Sequence, residues 1–295
     1  MGPAEFSDTY IYAGVKGGEH ILIYQNRPSN MIEPATSNLM SVVPGLVDFW
    51  STPESPVRPG NAMVWPVPSI SRLTKTNLFS LDRAPRLLTD MWARLDGTEV
   101  MRGANFGAVA KGLDVEVVEV GMYTVVVVNS AQPDQVQEIL ATSVPTEKRP
   151  KINTALLSWF AQSYPNWPLV IACFVSSDAQ MAVPFGVRYT PLRKDILYLP
   201  GADAHDGNPP HIGERVATDH VLMFGADRIN AGKAIEPVLR TSGSKLGDAS
   251  LSFPDMYTGV KSKAALPNGD WVIPVEDVIA GRLDGLKRST PPRTV

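Results

Sequence analysis

Short apolar, β-branched runs recur along this chain, and the spacers between them constrain its fold more than any other feature. Tyr10–Ala13 and His20–Gln25 are joined by GVKGG, whose glycines can adopt positive φ, so the pair reads as a hairpin. Val115–Val120 and Met122–Asn129 meet at Gly121, either as a second hairpin or as one strand bent by a bulge. Further strands are expected at Asn61–Pro68, Leu169–Val175, Met181–Tyr189, Asp195–Leu199, Asp219–Phe224 and Trp271–Ile273. Only a minority of the spacers are long enough for the helical crossover that a parallel pair needs, so antiparallel pairing is favoured.

Helical periodicity is confined to a few segments. Leu87, Leu88, Met91, Trp92 and Leu95 share one face of a helix expected at 83–95, with Ser80 or Asp82 as its cap. Lys151–Ser163 carries Ile152, Ala155, Leu156, Trp159 and Phe160 on one side. Shorter helices are expected at Pro133–Thr142, at Asn230–Arg240 with Pro237 ending or kinking it, and at Pro274–Arg282. The fold class is therefore α+β, with a mixed, mainly antiparallel sheet and a few amphipathic helices. The reading is a single domain over 1–295, with two lobes (10–143 and 151–285) meeting near the polar connector Val144–Lys151.

Composition narrows the partners. The net charge of −3 lacks the basic excess of a general nucleic-acid binder and gives no attraction to an anionic membrane. No apolar run of about 18 residues is present to cross a bilayer. MGPAEFSDTY has neither a basic nor an apolar leader region, so a cytoplasmic location is expected. The lone cysteine, Cys173, lies in the apolar run LVIACFV, where it reads as a small buried hydrophobe.

Between Asn26 and Gly60 the texture changes. Prolines at 28, 34, 44, 53, 56 and 59 interrupt any helix or central strand. Apolar side chains still recur there, among them Met31, Ile32, Leu46, Phe49 and Trp50. So apolar a segment is no solvated linker. It reads either as an irregular cover over its own core or as an arm whose five named side chains dock on a neighbouring subunit. A basic, Pro-rich tail follows at 286–295.

The stretch with most chemistry is DILYLPGADAHDGNPPHIGERVATDHVLMFG, from Asp195 to Gly225, which holds three of the four histidines. His205, Asp206 and His211 flank GNPP, a wide loop in which imidazole and carboxylate could converge on a divalent metal. Hairpin-end residues, with Asp206 capping the turn, are the plainer reading of the same three. His220 is set apart, because IGERVAT would have to fold back to bring it near His211; it is expected to be satisfied beside Leu222 and Phe224. GADRINAGKA resembles a phosphate loop in order only: the glycine spacing is too long, and Ala234 follows Lys233 where a hydroxyl is required.

NAMVWPVP (Asn61–Pro68), AHDGNPPH with ATDHVLMF, and ALPNGDW (Ala265–Trp271) together resemble a group of bacterial proteins with no assigned activity. That group has an Ala-Met-aliphatic-x-Pro-x-Pro strand, a His-Asp-Gly turn and a Leu-Pro-Asn-x-Asp element. The resemblance implies one continuous fold from about Glu19 to Trp271 and draws interest to His205, Asp206, His211, Asp219 and His220. Asn-Pro-Pro in the turn departs from the pattern.

Two functions follow as expectations. The first is a non-enzymatic, self-associating structural or interaction protein, homo-oligomeric through its Pro-rich arm and tail. The second is a metal-dependent hydrolase or metal-binding protein using His205, Asp206 and His211, with metal-bound water as nucleophile and Asp206 or Glu214 as ligand or base.

Overall fold

The computed structural model describes residues 4–30, 60–97, 115–130, 132–175, 183–203, 208–241 and 253–291. Two long strands, β1 (Ala4–Lys16) and β2 (Glu19–Asn30), form the first hairpin. Its two-residue turn uses Gly17 at φ 60° and Gly18 at φ 85°, the paired positive angles that let a tight turn follow the twist of its strands. Around it lie β3 (Asn61–Pro66), β4 (Leu78–Ser80), β8 (Phe185–Tyr189), β10 (Arg215–Ala226), β11 (Lys233–Ala234) and β12 (Met256–Pro267).

Seven of these strands form one sheet in the order β11-β12-β10-β1-β2-β8-β4. Among the described residues, β1 with β10 is the one parallel ladder and the others are antiparallel. A four-stranded sheet, β3-β7-β6-β5, adds β5 (Val115–Val120), β6 (Tyr123–Val128) and β7 (Leu169–Phe174). Gly121, at φ 59°, turns β5 into β6, so that pair is a hairpin and not a single bent strand. A three-stranded sheet joins β9 (Ile196–Leu199), β13 (Asp270–Pro274) and β14 (Lys287–Ser289). The fold is α+β with a mixed, mostly antiparallel sheet. Strand pairing crosses Val144–Lys151 in both larger sheets: β3 lies on β7, and β1 on β10.

Helices cover the outer faces. α1 (Leu87–Asp96) turns Leu87, Leu88 and Met91 onto Tyr12, Ile21, Ile23, Val221 and Met223 of the large sheet. α2 (Pro133–Ser143) and α3 (Thr154–Ser163) cover Val126, Val128, Ile171 and Cys173 of the four-stranded sheet. The remaining faces meet each other: Ile11, Ala13 and Leu22 pack with Val125, Val127, Val170 and Phe174. The four-stranded sheet is thus buried on both sides, which is why LVIACF and YTVVVV read as unbroken apolar runs rather than alternating ones. Phe185 and Trp65 stack at 4.3 Å between the two sheets, with Tyr123 at 4.9 Å from Phe185. Burial pushes the Cys173 thiol up to about 12, so it is an inert core group.

Three local expectations need correction, and one strand was not anticipated. Pro237 does not end a helix; it sits in the first turn of α4 (Glu236–Thr241), where its missing N–H costs nothing. The cap of α1 is Arg86, without a side-chain bond, and neither Ser80 nor Asp82 fills that role. β12 was not anticipated, because MYTGVKSKAALP is mostly half-exposed and poor in β-branched residues. Lys233, in the phosphate-loop-like stretch, enters β11 and not a helix. No described helix is long and apolar enough to cross a membrane.

His20 supplies a pH-dependent term. It is 1% exposed, with its ring edge-on to Tyr189 at 5.9 Å. Burial lowers its pKa from 6.5 to about 4, against the opposing Lys194 carbonyl and Asp195. The folded chain therefore binds fewer protons than the unfolded chain between those values. The resulting stability is complete above pH 6.5 and falls by about 3 kcal/mol as the pH drops to 4, at roughly 1.4 kcal/mol per pH unit. Urea titrations at pH 4, 5 and 7 should show His20→Phe losing that much less than the parent chain over this range. Parallel losses in the two proteins would contradict the assignment.

Candidate functional site

The segment leading from β9 towards His205 is clamped by the turn between β12 and β13. Asn268 Oδ1 accepts the Asp203 N–H at 2.8 Å, and its Nδ2 donates to the Asp203 carbonyl at 2.9 Å. Asp270 Oδ1 accepts the N–H groups of Gly201 at 3.0 Å and Ala202 at 3.2 Å. Its Oδ2 accepts the Tyr164 hydroxyl at 2.7 Å. Between them Gly269, at φ 157°, has no room for a side chain: a Cβ would lie 2.5 Å from the Ser289 carbonyl. Asn-Gly-Asp is therefore the chemistry of a staple, two hydrogen-bonding side chains around a position only glycine fits.

Arg288 completes the staple from β14. Its Nη1 donates to the carbonyls of Gly201 and Gly269, and its guanidinium lies 4.2 Å from the centre of the Trp271 ring. Burial lowers the Arg288 pKa to about 10, with Asp270 and Asp203 opposing, so it stays charged at neutral pH. Asp270 is 1% exposed, and burial raises its pKa against the donors that surround it. Burial likewise pushes the Tyr164 and Tyr198 hydroxyls up, so both remain neutral beside the carboxyl group.

A cavity of about 110 Å³ opens beside this staple, walled by Tyr24, Trp65, Tyr164, Asp203, Asp219 and His220 among others. His220 points from β10 (which begins at Arg215) on the face it shares with Leu222 and Phe224, and it lines this cavity together with Asp203, two positions before His205. The Gly213 N–H to Asn268 carbonyl bond of 3.0 Å anchors the start of that strand. His211 lies elsewhere, exposed in the turn before β10, its carbonyl accepting the Glu214 N–H at 3.2 Å. His205 and Asp206 lie outside the described residues, as do Met31, Ile32, Leu46, Phe49 and Trp50. Among the described residues no three His, Cys, Asp or Glu side chains gather as a metal site.

On the far side of Asp270 is a larger, mainly apolar groove of about 550 Å³, walled by Pro68, Pro165, Trp167, Leu192, Tyr198 and Val272 among others. Trp167 is placed by a tight turn, Tyr164-Pro165-Asn166-Trp167. Its N–H donates to the Tyr164 carbonyl at 3.2 Å, and Asn166 takes φ 65°. The ring then meets Tyr198 edge-on at 5.2 Å. Ile70, 62% exposed, is held close to Leu192, 44% exposed, by bonds from the Ile70 N–H to Thr190 and from the Leu192 N–H to Pro68. The sequence reading missed this groove, although Pro-Asn before a tryptophan is a legible turn.

No protein-family model and no curated protein matches the chain. Among solved structures, a chain of the crystal structure of the caspase-8/P35 complex aligns with a TM-score of 0.38 and 13% identity, over 76% of this chain and 65% of that one. The crystal structure of a mutated baculovirus P35 after caspase cleavage aligns with a TM-score of 0.38 and 9% identity, over 92% and 91% of the two chains. The chain thus spans less than two thirds of the first of these, and at this level neither likeness carries an argument.

Proposed function

We propose that the chain is a non-enzymatic interaction protein that self-associates, one copy's segment 31–59 lying in the Trp167/Tyr198 groove of a second copy. The observation carrying this reading is the groove itself. Aromatic rings and prolines wall a mainly apolar trough, with Ile70 and Leu192 left exposed near it. Troughs of that chemistry receive proline-rich extended segments, which lose little entropy on binding. This chain carries such a segment, with prolines at 34, 44, 53, 56 and 59 and apolar anchors Met31, Ile32, Leu46, Phe49 and Trp50. Exchange between two copies is reciprocal and closes as a dimer.

Charging the groove tests this. The double substitution Ile70→Glu/Leu192→Glu alters two exposed side chains and should leave the fold intact. It should raise the dimer dissociation constant by at least about 100-fold, since each buried aliphatic side chain contributes about 1.5–3 kcal/mol. A dimer whose dissociation constant is unchanged by the double substitution would remove the groove from the interface.

A further inference from the structure

Prolines 53, 56 and 59 stand three residues apart in STPESPVRPG, the stretch that runs into β3. A polyproline II helix has three residues per turn and rises about 3.1 Å per residue. In that form the three rings share one edge over about 19 Å, and a proline at every third residue bars a helix or a central strand. Pro34 and Pro44 are ten residues apart and share no such edge. Spacing, more than proline content, thus singles out 51–60 from the rest of the segment.

The groove has matching features. Trp167 and Tyr198 meet with their planes 86° apart, which sets two aromatic surfaces at right angles beside Pro68 and Pro165. Trp167 is half-buried, and its indole Nε1–H has no acceptor among the described residues. It can donate to a carbonyl of a polyproline II backbone, which makes no internal hydrogen bonds. Position then decides whose run can enter. Gly60 is bridged to Pro150 at the end of β3 where Asn61 faces Phe174. Pro68 and Trp167 lie beyond the other end, where Pro66 faces Leu169 and the Val67 N–H donates to the Pro168 carbonyl at 2.9 Å. Six residue steps of extended strand set Gly60 about 20 Å from Pro66. Pro59 adjoins Gly60, and Pro56 lies within about 14 Å of it at full stretch, so neither reaches Trp167 of its own chain. We infer that Pro53, Pro56 and Pro59 of one copy seat as a polyproline II helix against Trp167 and Tyr198 of a second copy, with the Trp167 indole donating to a backbone carbonyl. This rests on the self-association proposed above and names the residues that make it.

Exchanging two neighbours tests the register without changing composition. In the intact chain, Pro56→Val/Val57→Pro breaks the spacing of three and should raise the dimer dissociation constant at least about 10-fold in sedimentation equilibrium. Trp167→Phe keeps a ring and removes the N–H; it should raise the constant about 3-fold, the scale of one hydrogen bond. Excess synthetic peptide 51–60 should dissociate the dimer, and the exchanged peptide should need at least about 10-fold more. A dimer whose affinity is unchanged by the exchange would overturn the register while leaving self-association in place. If the intact chain instead stays at single mass, self-association itself falls, and fluorescein-labelled 51–60 decides the groove by anisotropy. Tighter binding than the exchanged peptide, by at least about 10-fold, upholds the proline register; equal binding, or none at millimolar concentration, overturns it.

Discussion

Asp270→Ala is expected to lower the free energy of unfolding by about 3–5 kcal/mol, the scale found when a buried, hydrogen-bonded carboxyl group loses its place. The substitution leaves the N–H groups of Gly201 and Ala202 and the hydroxyl of Tyr164 without their acceptor. Each buried donor left unmade costs about 1–3 kcal/mol, and the three costs overlap because relaxation of one relieves the others. Asp270→Asn keeps one acceptor oxygen and the shape, so it should lose clearly less. Denaturant titration measures both, and hydrogen exchange at Gly201–Asp203 should quicken in the alanine variant. A loss below about 1 kcal/mol for Asp270→Ala would mean that the turn does not hold this loop.

Phe185→Ala should be of similar size, about 3–5 kcal/mol, through a different mechanism. Phe185 is 1% exposed on β8 of the large sheet, and its ring stacks on Trp65 of β3 and leans on Tyr123 of β6. Removing it leaves a void between two sheets that are each tied to further layers, so neither can close inward freely. Phe185→Leu refills most of the volume and should cost about 1–2 kcal/mol, within the range of repacked hydrophobic exchanges. Thermal or urea unfolding checks the pair; equal stability of the alanine and leucine variants would contradict a packed inter-sheet contact.

Where both faces of a strand are buried, or where a turn has its own signature, the chain states its fold openly. Leu169–Phe174 and Tyr123–Val128 carry unbroken apolar runs, Gly17–Gly18 dictates a hairpin, and Asn153 caps α3 by accepting the Ala155 N–H at 2.8 Å. β12 hides because β10 pairs along its length while β11 reaches only Met256 and Tyr257, so Lys261, Ser262 and Lys263 sit where a buried strand would carry valine. No local pattern reveals that β1 finds β10, since that ladder joins residues more than 200 apart in sequence.

The site shows the same division. Histidine and aspartate between Asp195 and Gly225 drew attention for their chemistry, and His220 and Asp219 do wall a cavity. ALPNGDW stood out only as a motif; what sequence reading missed is its role, in which Asn268 and Asp270 reach back some 65 residues to hold Gly201–Asp203. Trp65 was legible only as part of an apolar strand, and its place in the cavity wall depends on how two sheets stack. His211 lies in the same stretch as His220, but it is exposed in the turn that precedes β10.

Sedimentation equilibrium of the intact chain, beside a form in which residues 31–59 are replaced by a short Gly-Ser linker, measures the central claim directly. The intact chain should give twice its sequence mass at micromolar concentration, and the linker form the mass of one chain. An intact chain that stays at single mass up to hundreds of micromolar, or a linker form that dimerises equally well, would contradict self-association through this segment.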